Sequence, residues 1–148
     1  MYLDIDDFKK FNTAHGETEI DRRVLPRFMQ ALESHVFQHG FAYRYGGDEY
    51  VMLLPSLSRE IAIRFLEALR KSVSEIEYSG VNDRTTVSIG FCCIDPDAYK
   101  TDREIETLAN RAKNFAKTNG KNCIATYIGP HFEENELRVV TPDFAFDS

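Results

Sequence analysis

Phe41-Ala42-Tyr43-Arg44-Tyr45-Gly46-Gly47-Asp48-Glu49-Tyr50-Val51-Met52-Leu53-Leu54 is the stretch that decides the fold. Strand-forming residues flank a pair of glycines, which is the pattern of a β-hairpin. Glycine tolerates positive φ and lets a ligand approach the backbone closely. Asp48 and Glu49 follow the turn at once, and acids at such a turn suit a divalent metal that holds phosphates. An ordinary solvated hairpin shares the local pattern, so the function depends on what the rest of the chain brings to this tip.

Upstream, Val24, Leu25, Phe28, Met29, Leu32 and Val36 recur at helical spacing and predict a helix over 21–39, with Gly40 at its C-cap. Before that, Tyr2-Leu3-Asp4-Ile5 predicts a short strand, and 9–12 a helical turn that Gly16 breaks. Downstream, Ile61, Phe65, Leu66, Leu69 and Val73 predict the core stripe of a helix over 59–76. Residues 85–93 form a strand with Val87, Ile89, Phe91 and Cys93 on one face. Thr101-Asp102-Arg103-Glu104 has capping-box spacing and opens a third helix through Ile105, Leu108, Ala112 and Phe115, which Gly120 ends. Residues 122–128 make a last core strand.

The order is strand, helix, strand, strand, helix, strand, helix, strand. It predicts an α+β fold, an α/β sandwich of split βαβ, ferredoxin-like palm type, with a central, mostly antiparallel sheet and helices. The palm domain spans 1–128. Residues 129–148 form an acidic C-terminal extension, in which Leu137-Arg138-Val139-Val140 suits an edge strand and 142–148 a loose tail.

At 148 residues the chain fits one domain with a sizeable core. With 43% hydrophobic and 28% charged residues it reads as a globular soluble chain, not a disordered one. No apolar run is long enough for a membrane span, and the first residues lack the features of a signal peptide, so a cytoplasmic setting without membrane contact is expected. A net charge of −6 argues against a grip on duplex nucleic acid. Cys92, Cys93 and Cys123 are odd in number and show neither a disulfide framework nor zinc spacing, which predicts reduced thiols. The four histidines likewise lack metal-ligand spacing.

In a split βαβ sheet the first strand lies beside the hairpin, so Asp4 is expected to face Asp48 and Glu49. Convergent carboxylates repel one another unless cations or protons intervene. Magnesium bound by one or two of them, with substrate phosphates completing its shell, resolves that repulsion. Lys9, Lys117 and Lys121 are candidate phosphate cations, although Lys117 and Lys121 also suit a helix C-terminus.

Four blocks carry a resemblance: 4–12 (DIDDFKKFN), 44–50 (RYGGDEY), 86–90 (TVSIG) and 112–122, ending Ala116-Lys117-Thr118-Asn119-Gly120-Lys121-Asn122. In order and spacing the chain resembles the GGDEF domain of diguanylate cyclases from residue 2 to about 128. The resemblance implies a palm that condenses two GTP into cyclic di-GMP and releases pyrophosphate by two-metal in-line attack. It implies Mg2+ or Mn2+ held by Asp4, Asp48 and the Ile5 carbonyl. Glu49 then helps to activate the 3′-hydroxyl, and Asn12 and Asp21 read guanine, a base whose donors suit a carboxylate. Phe8 and Lys9 lie near the phosphates, Lys117 and Lys121 hold the β- and γ-phosphates, and Gly46 and Gly47 turn over the nucleotide. One half-site holds one nucleotide, so a homodimer, at least transient, is implied.

The chain departs from the family pattern in places. The family usually has a helical Asp-x-Leu-Thr segment before the first strand, and here the chain starts at that strand. Ile20 replaces a glycine beside Asp21, and Tyr50 replaces a phenylalanine. Phe37-Gln38-His39-Gly40 stands where an inhibitory Arg-x-x-Asp site belongs, so product inhibition through that site is not expected. Two alternatives accompany this reading. One is a minimal stand-alone palm cyclase, similar to the smallest CRISPR polymerases, using ATP and making a cyclic di-AMP type product in antiviral signalling. The other is a non-catalytic GTP-sensing module with His131-Phe132 and Phe144-Ala145-Phe146 as handles.

Overall fold

The hairpin forms as predicted. A computed structural model describes residues 1–98 and 100–146. In it β2 (Phe41–Gly46) and β3 (Glu49–Leu53) pair antiparallel, with a register shift between Arg44 and Gly46. Such a bulge leaves one residue unpaired and re-aims its neighbours. Gly47 turns the chain at φ 52, and the Arg44 guanidinium clamps the turn by donating to the Gly47 carbonyl at 3.0 and 2.8 Å.

The other strands are β1 (Tyr2–Ile5), β4 (Val87–Phe91), β5 (Ile124–Tyr127) and β6 (Leu137–Val140). Among the described residues they build one six-stranded sheet in the order β2-β3-β1-β4-β5-β6. The pairings are antiparallel except β4 with β5, so the mostly antiparallel palm sheet is as expected. Insertion of β3 between β1 and β2 is the split βαβ arrangement.

The helices are α1 (Phe8–His15), α2 (Glu17–Glu19), α3 (Leu25–Val36), α4 (Arg59–Ser74) and α5 (Asp102–Thr118). A π-helical turn, Ile20–Val24, joins α2 to α3. Side chains alternate across a strand. Leu3 and Ile5 of β1 and Val87, Ile89 and Phe91 of β4 therefore join Phe28, Leu32, Leu66 and Leu69 in one core on the α3–α4 side. Asp4, Ser88 and Gly90 face the other side, which α5 covers.

The contact between α5 and β4 is tight. A methyl group on Gly90 would lie 1.9 Å from the Lys113 backbone nitrogen. The buried face of α5 is accordingly Ala109, Ala112, Lys113 and Ala116; of the apolar residues through which the helix is expected to run, Ala112 is buried and Ile105, Leu108 and Phe115 are partly buried. On α4 Leu66, Leu69 and Val73 are buried as expected and Phe65 packs at the margin of the core, but Ile61 is 52% exposed and Ala62 and Ile63 are buried instead. Gly40 is not a left-handed C-cap. It is required because a side chain there would collide with the Leu53 carbonyl at 1.9 Å.

On the α5 side the cover stops short of the hairpin. Phe41, Tyr43, Tyr45 and Leu53 remain exposed, and the Tyr45 ring meets Tyr2 edge-on at 6.0 Å. The tail is less loose than its composition suggests. Phe144 and Phe146 pack T-shaped against each other and onto the main core, and the Arg59 guanidinium lies 3.7 Å above the Phe146 ring. Residues 147 and 148, the end of the predicted loose segment, lie outside the described residues. Among the described residues no helix is long and apolar enough to cross a membrane.

Replacing Gly90 by Ala forces α5 away from the sheet and is expected to destabilise the protein by about 1–3 kcal/mol. Gly46→Ala, where a methyl meets nothing within 4 Å, changes stability far less. Urea unfolding of the two variants measures the difference.

Candidate active site

The site is assembled where β1 passes the hairpin tip. Asp4 sits opposite Glu49 in the β1–β3 register, and the Ile5 amide donates to the Asp48 carbonyl at 3.2 Å. Asp4 is 3% exposed. A buried carboxylate persists as a charge only when it is paired. Two ammonium groups from α5 meet that need. Lys117 Nζ donates to Asp4 Oδ2 at 2.5 Å. Lys113 Nζ lies 3.3 Å from Asp4 Oδ1 and donates to Glu49 Oε1 at 3.1 Å.

Asp48 is less well compensated. Burial pushes its carboxyl above the ordinary carboxylate range, and the charge of Asp4 adds to the effect. Lys117 shows the converse. Burial pulls its ammonium down, but the hydrogen bond to Asp4 and the charges of Asp4, Asp48 and Asp6 outweigh it, and its pKa is raised.

Among the described residues no three His, Cys, Asp or Glu side chains converge as a ready-made metal cage. The expected cluster of carboxylates is thus interleaved with lysines, because bare carboxylates this close would repel. The donor set nonetheless fits a hard cation such as Mg2+. Asp48 disfavours its own charge, and Asp4 Oδ1, though near Lys113, is buried and accepts no well-directed hydrogen bond. Both conditions are relieved by a cation that also binds phosphate oxygens.

A second anchor lies just below. Asp6 is buried and accepts hydrogen bonds from Thr86 Oγ1 at 2.8 Å, Ser88 Oγ at 2.5 Å and the Asn122 amide at 2.9 Å. It ties β1 to β4 and to the turn after α5. Asp7, Lys121 and Asn122 all adopt positive φ, and Lys121 Nζ donates to Asp7 Oδ1 at 2.6 Å across the gap. That hydrogen bond holds the Asp7 carboxyl below its usual value. Left-handed non-glycine residues are strained and concentrate at functional sites.

The tertiary fold thus gathers Asp4, Asp48, Glu49 and Lys117, with Lys121 at the margin on Asp7. Gly46 and Gly47 form the turn above them. Phe8, Lys9, Asn12 and Asp21 stand apart: among the described residues none shares a side-chain hydrogen bond or ion pair with this cluster. Lys9 is exposed on α1 and Phe8 packs on the core. Asn12 Oδ1 is buried without a donor, and Asp21 is exposed on the π-helical turn. Ile20 is fully buried in the core, so its bulk points away from solvent beside Asp21.

Sequence reasoning missed Lys113 and Asp6. A signal for Lys113 existed: Lys113 and Lys117 are four residues apart and share a helix face. None distinguished Asp6 from its acidic neighbours.

The thiols stand outside this chemistry. Burial pushes the Cys92 thiol up to about 11. Its nucleophilic thiolate therefore forms only as pH rises toward that value. Native protein at about pH 8 is expected to alkylate at Cys92 far more slowly than unfolded protein, with the rate climbing at higher pH. Peptide mapping after iodoacetamide treatment measures both. Removing the second anchor by Asp6→Ala leaves its three donors unpaired and is expected to destabilise the fold by about 2–4 kcal/mol, as read from urea unfolding.

Residues 1–123 match the family profile "Diguanylate cyclase, GGDEF domain". The chain is 33% identical over 126 residues to Diguanylate cyclase A of Treponema denticola, covering 84% of this chain and 33% of that protein. It is 32% identical over 127 residues to Diguanylate cyclase DgcM of Escherichia coli K12, covering 84% of this chain and 29% of that protein. It therefore spans about a third of the length of these curated relatives. Among solved structures, it is similar to the GGDEF domain of DgcB from Caulobacter crescentus in complex with c-di-GMP, with TM-score 0.75 and 28% identity, covering 84% of this chain and 74% of that one. The active GGEEF domain of a diguanylate cyclase from Vibrio cholerae matches with TM-score 0.70 and 25% identity, over 84% of this chain and 79% of that one.

Proposed function

This chain belongs to the GGDEF-domain family of diguanylate cyclases, and from that premise we propose that it condenses two GTP into cyclic di-GMP with release of pyrophosphate. The observation that carries the proposal is the convergence of Asp4, Asp48 and Glu49 on Lys117 at one end of the sheet.

In this reading Asp4, Asp48 and the Ile5 carbonyl hold Mg2+ or Mn2+. Bound there, the ions would supply the Lewis acidity of a two-metal in-line displacement, stabilising the charge that develops on attacking and leaving oxygens. The residues of the chain do the remaining work. Glu49 accepts a proton from the 3′-hydroxyl that attacks the α-phosphate of the second GTP. Lys117 and Lys121 exchange Asp4 and Asp7 for the β- and γ-phosphates and offset the charge of the departing pyrophosphate. Asn12 and Asp21 offer acceptors to the guanine N1 and N2 donors, and the buried Asn12 Oδ1 is an acceptor still lacking its donor. Phe8, Lys9, Gly46 and Gly47 line the nucleotide. Each subunit supplies one half-site, so two copies face each other in a homodimer that forms at least transiently. A cytoplasmic setting, where GTP and Mg2+ are abundant, belongs to the same reading.

Purified protein incubated with Mg2+ and each nucleoside triphosphate should convert GTP to cyclic di-GMP, identified by mass spectrometry. Asp48→Ala should lower turnover at least roughly 100-fold. Unchanged turnover in that variant removes Asp48 from the mechanism. A cyclic product from ATP alone would favour the antiviral palm cyclase, and no product from any nucleotide the binding module.

A further inference from the structure

The proposed reaction leaves one buried charge in the site without a task. Lys113 is 2% exposed, on the alanine-rich face of α5. Its ammonium lies 3.3 Å from Asp4 Oδ1, 3.1 Å from Glu49 Oε1 and 5.9 Å from the centre of the Tyr2 ring. Packing alone does not call for a lysine at this position. An apolar side chain of the same length fills the same space, so what the lysine adds is its charge, without which the two carboxylates lose a buried partner. The ammonium instead sits beside the Asp4 oxygen that a divalent ion would need, without a well-directed hydrogen bond to it.

The local charge count points the same way. Asp4, Asp48 and Glu49 face the ammonium groups of Lys113 and Lys117. Three negative charges against two positive ones leave a single net negative charge. Without Lys113, Asp4 and Glu49 would face each other across neighbouring strands with Lys117 alone to offset them.

We propose that Lys113 is a resident counter-cation of the metal site: it positions Asp4 and Glu49 while the site is empty and competes with the divalent ion for Asp4. The inference rests on the reading that Asp4 holds a metal. Lys113 here is a positioning residue, since it acts through the carboxylates. It offsets their repulsion and keeps them ordered before loading, and it must be displaced or outcompeted when the ion arrives. The site should therefore bind metal weakly until substrate phosphates add their own ligands.

The test uses Mn2+ as the probe, with free ion followed by electron paramagnetic resonance and the protein by thermal melting. Lys113→Met removes the charge and keeps the bulk. It should bind Mn2+ about tenfold more tightly or better. Its melting temperature should be lower than that of the parent protein without metal, and it should rise further when Mn2+ is added. Lys113→Gln, which keeps polarity without charge, should move in the same direction and serves if the methionine variant does not fold. Lys71→Met, at an exposed position on α4, controls for net charge and should leave Mn2+ affinity unchanged. Equal or weaker Mn2+ binding in both Lys113 variants overturns the proposal while leaving the metal site intact. If neither the parent nor the variants bind Mn2+, the metal reading itself fails and takes this proposal with it.

Discussion

A carboxylate in the middle of a buried strand must be answered by a cation, and the structure is organised around that demand at Asp4. The residue is nearly inaccessible, and Lys113 and Lys117 reach its two oxygens from above. They can do so only if α5 lies directly over the sheet beside β1, with the 113–117 face turned inward. Gly90 removes the side chain that would hold the helix off, and Ala109, Ala112 and Ala116 keep the contact shallow. Fold and site are thus fixed by the same contact. A helix that slid by one residue would turn its lysines away and strand a charge in the core.

A second set of polar contacts locks the open end of this arrangement. Asp6 gathers donors from β4 and from the turn after α5, so the turn is held by a carboxylate rather than by apolar packing. Around it Asp7, Lys121 and Asn122 adopt left-handed backbone conformations. Conformations of that kind persist where surrounding contacts over-determine them. Here the Lys121–Asp7 pair and the Asn122 amide supply the constraint. Both lysines proposed to grip phosphates are parked on aspartates. A polyanionic ligand would therefore exchange partners with existing pairs rather than meet free cations.

The sequence by itself determined the order of elements, the hairpin with Asp48 and Glu49 at its tip, the capping box at Thr101 and the family resemblance in four blocks. These are local signals: periodicity, turn glycines and caps act over a few residues and are visible without knowing the neighbours. Asp4, Asp48 and Lys117 stood out as candidate site residues through the expected strand pairing and the resemblance.

Only the tertiary structure decided what those residues touch. Why Ile63 rather than Ile61 is buried on α4, why Gly40 and Gly90 had to lack side chains, and why Lys113 rather than Ile105 lies on the buried face of α5 depend on how closely the elements approach one another. So does the finding that the carboxylates alternate with ammonium groups instead of standing together. Burial and pairing are properties of two segments at once, and segments more than sixty residues apart in the chain carry no mark of the distance at which they will meet.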